Sequence, residues 1–349
     1  MDSDTTSDAP SLVFHNPNIR LGFHIGKDPK GLEKTFANMI HTPLRSYQVY
    51  ISNGRAYQPP KVNVDDIRKA NHILTRNGKY ACVHGCLLYN LAGATNGRED
   101  PNYQRNLNNT AHGLMSELDV AAGFGAGVVV HIGSRKNKKA GVYTIARCIE
   151  SVLTGQNAAT KELSKGLQIP LENVKLNRKI ILENAAGEGN KIGSNLDEIG
   201  EIIQSVDESV RGQVKVCIDT AHIFGAGQYD FGSSEAVVKF YEDFDEKIGL
   251  DKLEVFHLND SRAAYGSKKD KHENIGMGYI FGVDRDEDRD RDGVLGLQKF
   301  IELAEERRIP MIGEPPSKMR DGTLGPGGIW DYTVIRGLCD LEDERFVCE

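Results

Sequence analysis

The chain has 349 residues, 39% of them hydrophobic and 27% charged, with a formal net charge of −7; this is the balance of a soluble, enzyme-sized protein and excludes a disordered or fibrous one. A net acidic charge excludes a partner held by a uniformly basic surface, yet it leaves phosphate-bearing partners open, because carboxylates gathered on divalent cations are neutralised where a phosphate would sit. No run approaches the roughly 18 apolar residues of a membrane-spanning helix.

The six cysteines, at 82, 86, 148, 217, 339 and 348, follow no basic and apolar leader segment and read as reduced thiols of an intracellular protein. Cys82 and Cys86 flank His84; burial of small residues in a strand accounts for them better than metal binding does. Residues 1–18 form a polar, flexible lead-in, and residues 19–349 read as a single domain.

Apolar runs suited to buried parallel strands then recur in order: 21–25, 47–51, 80–84, 127–132, 179–184, 214–219, 253–258 and 309–314. Segments of helical spacing lie between them at 106–123, 142–154, 195–208, 234–247 and 294–306. Eight strands with intervening helices predict a closed (β/α)8 TIM barrel in the α/β class. The alternative, a doubly wound sheet, lacks a Gly-x-Gly-x-x-Gly at its first βα turn to support dinucleotide binding. Two stretches decorate this scaffold. Residues 133–140 (GSRKNKKA) form a basic loop, and 284–292 (DRDEDRDRD) an acidic insertion. The insertion resembles the start of a calcium loop through Asp288, Asp290, Asp292 and Gly293, but its twelfth position is Lys299 where a glutamate is required, so it reads as a solvated charged run.

Polar residues fall at the ends of these strands. His84, His131, Glu183, Asp219, His257 and Glu314 each stand at or beside a predicted strand's C-terminal end, the face where a barrel binds substrates. One such residue is easily structural. Three imidazoles and three carboxylates buried together cost many kcal/mol unless cations neutralise them. The mixed nitrogen and oxygen set suits zinc, with manganese or iron as alternatives. His222, three positions after Asp219, and the pair Asp270 and His272 extend the set toward a third ion.

These residues, with the segments VHGCLLYNLAG, VVVHIGS, ILENAAGEG, CIDTAHIFGAG, HLNDS, KDKHENIG and GEPP, resemble the endonuclease IV family of apurinic/apyrimidinic endonucleases, on the xylose isomerase-like TIM barrel. The resemblance implies zinc-dependent hydrolysis of the DNA phosphodiester bond 5′ to an abasic site in base excision repair, leaving a 3′-hydroxyl and a 5′-deoxyribose phosphate. Removal of blocked 3′ ends and incision at oxidised bases are further implied activities. By the same resemblance His84, His131 and Glu183 hold a first zinc, and the catalytic Glu183 bridges to a second held by Asp219, His257 and Glu314. His222, Asp270 and His272 hold a third, so about three ions per chain are expected, with manganese an alternative at one or more sites.

The partner implied is damaged double-stranded DNA, bound by a monomer without an obligate protein partner or a membrane, in the cytoplasm or another DNA-containing compartment. One departure concerns position 87: family members place a tyrosine of the DNA-intercalating loop there, and this chain has Leu87, followed by Leu88, as candidate wedges at a flipped nucleotide. Arg55 in Ser52–Asn53–Gly54–Arg55 is a further candidate DNA contact. Arg135, Lys136, Lys138 and Lys139 are expected to grip phosphate, and Arg262 and Lys271 to lie near it; Asn259 and Asp260 are candidates to orient the ligands. Two other classes compete: a sugar isomerase or epimerase, which needs fewer ions, and a non-catalytic DNA-binding barrel, which has no use for such a cluster.

Overall fold

The computed structural model describes residues 19–93, 102–282, 293–316, 331 and 333–335. The lead-in 1–18, the acidic insertion 284–292 and most of the chain beyond 316, with Cys339 and Cys348, lie outside them. The strands are β1 Leu21–Ile25, β2 Ser46–Val49, β3 Tyr80–His84, β4 Gly127–His131, β5 Ile180–Glu183, β6 Val214–Asp219, β7 Leu253–His257, β8 Asp260–Ser261, β9 His272–Glu273 and β10 Met311–Gly313. Eight of them close a parallel barrel in the order β1-β10-β7-β6-β5-β4-β3-β2, while β8 and β9 form a separate antiparallel pair. The closed barrel bears out the sequence expectation over the doubly wound sheet.

Strands buried on both faces must be apolar almost throughout, and the two faces of each strand do different work. Cys82, Val129, Ile181, Cys217, Val255 and Ile312 fill one layer inside the barrel. Their neighbours Val128, Val130, Ile180, Leu182, Val216, Ile218, Phe256 and Met311 belong to the larger core against the helices. Gly22 permits the close approach of β1 to β2, since a Cβ there would sit 1.5 Å from the Ser46 carbonyl oxygen.

Because side chains alternate along a strand, the interior layer dictates what comes next. Two residues beyond each member stand His84, His131, Glu183, Asp219, His257 and Glu314. The period of the strand therefore aims all six at the barrel axis, one step above the apolar layer.

The helices at Tyr103–Gly123, Lys138–Thr154, Leu196–Ser205, Ser234–Lys247 and Gly293–Glu306 match the expected segments to within a few residues. The start at Lys138 rather than 142 follows from Asn137, whose side chain accepts the Ala140 amide hydrogen and satisfies a free donor of the first turn. Helices at Leu32–Met39, Val64–Arg76, Ala158–Leu167 and Leu171–Leu176 add to those that helical spacing predicts. Val64–Arg76 buries only Ile67, Ala70 and Leu74, a thin stripe in a charged segment. No described helix is long and apolar enough to cross a membrane.

Candidate metal centre

The six strand-end residues meet in the barrel mouth. Glu183 is 1% exposed and its two carboxylate oxygens face different neighbours. Oε2 lies 3.2 Å from His131 Nδ1 and 3.6 Å from His84 Nε2, whereas Oε1 lies 3.0 Å from His257 Nδ1. On the far side of His257, Glu314 Oε2 is 3.3 Å from the same Nδ1 and Asp219 Oδ2 is 3.8 Å away.

The spacing of Asp219 and His222 has a local cause. Asp219 caps the helix Thr220–Gly225, its Oδ1 accepting the His222 amide hydrogen at 2.9 Å. The cap brings His222 over the same carboxylate and leaves Oδ2 facing the cluster. The β8–β9 pair then folds the following loop back, so Asp270 Oδ1 sits 3.2 Å from His222 Nε2 and 3.5 Å from His272 Nε2.

Three groups of potential ligand atoms result, each with its atoms within 4.8 Å of one another: His84, His131 and Glu183; Glu183, Asp219, His257 and Glu314; and Asp219, His222 and His272. Glu183 and Asp219 each belong to two groups, so neighbouring ions could share a carboxylate.

The electrostatics fit cations. Burial alone would push Glu183 up, but His131 and His257 hold its carboxyl well below the ordinary range. Burial disfavours charge on His222, yet Asp219 and Asp270 outweigh it and raise the ring well above its usual value. His272 is raised to about 9, burial being overcome by Asp219. The carboxylates thus demand positive charge, from protons on the rings or from metal in their place. Two buried atoms, Glu183 Oε2 and His272 Nε2, have no hydrogen-bond partner among the described residues. Both point into ligand groups, which is where an ion would complete them.

Ring orientation is fixed in advance. His84 Nδ1 lies 2.8 Å from the Gly85 carbonyl oxygen, His222 Nδ1 3.0 Å from that of Asn184, and His272 Nδ1 3.3 Å from that of Glu314. Each carbonyl can take only a ring N–H, which leaves Nε2 to face the cluster. Asn259 links two carboxylate positions, donating to Asp219 Oδ2 at 2.8 Å and accepting the Glu314 amide hydrogen at 2.8 Å. Asn184, in the segment ILENAAGEG, accepts the Asp219 amide hydrogen at 2.6 Å. Asp260 instead organises the loop, accepting amide hydrogens from Ser261, Gly276, Gly278 and Ile280; burial raises it to about 6.

Residues 44–285 match the model of the xylose isomerase-like TIM barrel family. The probable endonuclease 4 of Halothermothrix orenii is 32% identical over 263 residues, covering 75% of this chain and 85% of the relative. The chain belongs to the endonuclease IV family. The probable endonuclease 4 of Cenarchaeum symbiosum is 27% identical over 304 residues, covering 85% of this chain and 93% of its own length. Among solved structures, endonuclease IV from Thermus thermophilus superposes with a TM-score of 0.65 at 23% identity, covering 92% of this chain and 99% of that one. A D-tagatose 3-epimerase-like protein shares the fold at a TM-score of 0.54 and 15% identity, covering 91% of this chain and 97% of that one.

Around this endonuclease IV metal cluster, the loops place the other candidates unevenly. Leu87 and Leu88 are 41% and 44% exposed, and their loop is sewn to the one after β2: the Leu87 amide donates to the Gly54 carbonyl at 2.8 Å, and the Tyr57 hydroxyl donates to that of Leu88 at 2.6 Å. Exposed Arg55 stands in that same neighbouring turn. Beneath both loops Glu117 accepts from Ser52 Oγ, and burial raises its carboxyl to about 7. Lys136, Lys138, Lys139 and Lys271 are exposed.

Arg135 departs from expectation. It is 6% exposed, its guanidinium donates to Thr144 Oγ1 at 2.7 Å and lies over the Tyr103 ring, so it anchors its loop from within instead of standing exposed with the neighbouring lysines. Arg262 is half-buried and paired with Glu273 through Nε at 3.1 Å and NH2 at 3.3 Å.

Proposed function

We propose that this chain is a zinc-dependent apurinic/apyrimidinic endonuclease, cutting the DNA backbone 5′ to an abasic site and leaving a 3′-hydroxyl and a 5′-deoxyribose phosphate. The observation that carries the proposal is the three adjoining ligand groups, two of them joined through Glu183, in an endonuclease IV barrel. His84, His131 and Glu183 would hold one ion, Glu183, Asp219, His257 and Glu314 a second, and His222 and His272 a third, grouped with Asp219 and joined by Asp270, whose Oδ1 lies 3.2 and 3.5 Å from their Nε2 atoms.

Nitrogen and oxygen donors favour zinc, with manganese next, over magnesium. Cys82 and Cys86 take no part, their thiols facing Gln48 Oε1 and the Ala56 carbonyl. Ions so held would activate a water by lowering its pKa and offset the charge on the phosphate and the leaving 3′ oxygen. The protein's part is to hold that geometry before substrate arrives: backbone carbonyls fix three rings, Asn259 spaces Asp219 from Glu314, and the apolar layer beneath excludes water from the barrel.

Selection of the lesion falls to the sewn loops. A nucleotide without a base costs less to turn out of the helix, and Leu87 and Leu88, both exposed, would supply the wedge. A sugar epimerase would share the barrel but gives no reason for a third ion group.

Purified protein should carry about three zinc-class ions and cleave synthetic abasic duplex without turning over free pentoses. Chelation should abolish cleavage, with zinc and not magnesium restoring it. Pentose turnover without abasic cleavage, or protein free of transition metal at full activity, would overturn this reading.

A further inference from the structure

β2 ends in no ligand, yet it carries a polar residue into the barrel interior. Gln48 is fully buried, level with Cys82 on the adjoining strand. Its amide makes four contacts. Oε1 lies 2.9 Å from His257 Nε2 and 3.4 Å from Cys82 Sγ, whereas Nε2 lies 2.6 Å from Glu314 Oε1 and 3.1 Å from His24 Nδ1. An amide offers two donors and two acceptor positions, so its capacity is used in full.

The partners decide which way the amide faces. A carboxylate serving as a metal ligand accepts and does not donate, so the atom 2.6 Å from Glu314 must be the NH2 group. Its carbonyl oxygen therefore faces His257, and the ring nitrogen beside it must carry hydrogen. That leaves His257 Nδ1 to face Glu183 Oε1 at 3.0 Å and Glu314 Oε2 at 3.3 Å. The second amide N–H donates to His24 Nδ1, which puts the hydrogen of a neutral His24 on Nε2.

We propose that Gln48 is a positioning residue for the second ion site: it selects the tautomer in which His257 offers Nδ1, and it holds Glu314 by Oε1 so that Oε2 is presented. The inference rests on the reading that Glu183, Asp219, His257 and Glu314 hold an ion. It sets His257 apart from His84, His222 and His272, which present Nε2 because backbone carbonyls hold their Nδ1 atoms; His131 also turns Nδ1 to Glu183, at 3.2 Å, but on the first ion site and not through Gln48. No side-chain substitution removes a backbone carbonyl. The orientation of His257 depends on a side chain, so the second site can be loosened without touching a ligand.

The test begins with unaltered protein labelled with 15N at histidine and loaded with zinc. Long-range proton–nitrogen correlation should show two rings bound through Nδ1 with hydrogen on Nε2, those of His131 and His257, whose Nδ1 atoms face Glu183 at 3.2 and 3.0 Å, and others bound through Nε2 with hydrogen on Nδ1. Loss of one of the two Nδ1-bound patterns in Gln48→Leu, with the other kept, would assign the lost one to His257, since Gln48 meets His257 and not His131; loss of neither in the folded variant would overturn the role of Gln48. In chelator competition, Q48L should release one ion at about 10–100-fold lower chelator, the usual consequence of removing a ligand's hydrogen-bond partner, with the others unchanged. Cys82→Ala disturbs the same buried layer but touches neither ligand, and should keep the wild-type release profile. Wild-type protein that holds its ions with every zinc-bound ring coordinated through Nε2 would overturn the role of Gln48 alone. An unchanged release profile in folded Q48L would do the same. Wild-type protein that binds no ion would instead overturn the metal reading beneath it.

Discussion

Two buried charge clusters in this barrel are built in opposite ways. Arg178 and Asp119 are both fully buried, and every polar atom of the pair has a protein partner: Arg178 Nε and NH2 reach Asp119 Oδ1 at 2.8 and 2.7 Å, and Thr160 Oγ1 donates to Oδ2 at 2.7 Å. Arg178 NH1 donates to the carbonyls of Val152, Leu153 and Gly155, where the helix Lys138–Thr154 ends. It closes off acceptors that a helix terminus leaves free. The Glu183 cluster has comparable burial, but among the described residues two of its atoms remain without a hydrogen-bond partner and converge with neighbouring ligand atoms. Buried charge completed by the chain holds the fold together; buried charge left incomplete and aimed at a common point is a place for a cation.

Breaking the closed cluster should produce the largest effect. Asp119→Ala strands a buried guanidinium and should cost about 3–5 kcal/mol of folding stability, read as a lowered denaturant midpoint. Its cleavage rate per folded molecule should not change, because Asp119 touches no proposed ligand. A wild-type midpoint in D119A would show that the pair contributes nothing net to the fold.

The open cluster should respond in the other sense. Glu183→Gln keeps size and removes the charge shared by two ligand groups, so single-turnover cleavage should fall by more than about 100-fold, beyond the usual cost of losing only a ligand's hydrogen-bond partner. Ion occupancy should fall while the folded state persists. Full occupancy with most of the cleavage rate retained would remove Glu183 from the bridging position.

The same contrast explains what is legible in the sequence. Strand-end ligands can be read because the strand period ties each to an apolar residue two positions earlier, and Asp219 and His222 because a helix cap fixes their spacing. Arg178, Gln48 and Glu117 give no such signal. Their partners lie far away in sequence, Gln48 meeting Glu314 across 266 positions, and a lone polar residue beside a strand looks the same whether its partner exists or not. The helix Val64–Arg76 keeps the helical spacing at Ile67, Ala70 and Leu74, but charged residues between them dilute its apolar stripe, so it is passed over among stronger segments. Arg135 misleads because adjacent basic residues suggest a common role, whereas Tyr103 and Thr144 draw it inward and leave the lysines outside.

Those lysines provide the smallest expected effect and a direct test of where DNA runs beside the open cluster. Lys136 precedes the Asn137 cap, and Lys138 and Lys139 open the helix Lys138–Thr154, with no acidic residue in its first turn. Positive side chains at a helix N-terminus oppose its dipole by about 0.3–1 kcal/mol each, a cost that a phosphate at the same place would reverse. The contributions should differ, because Lys138 is tied to Glu198, whose other oxygen accepts the Gly193 amide hydrogen. Lys136 and Lys139 should therefore carry the effect. Replacing all three with glutamine should weaken binding to abasic duplex and lower the slope of log affinity against log salt by about two units, one for each phosphate that is no longer gripped. Arg135 must be left intact, since its removal would disturb the loop from within. Bound metal should be unchanged, which separates a weakened hold on DNA from damage to the centre. An unaltered salt slope would put the DNA track elsewhere, and a fall of about three units would mean that Lys138 leaves Glu198 for phosphate.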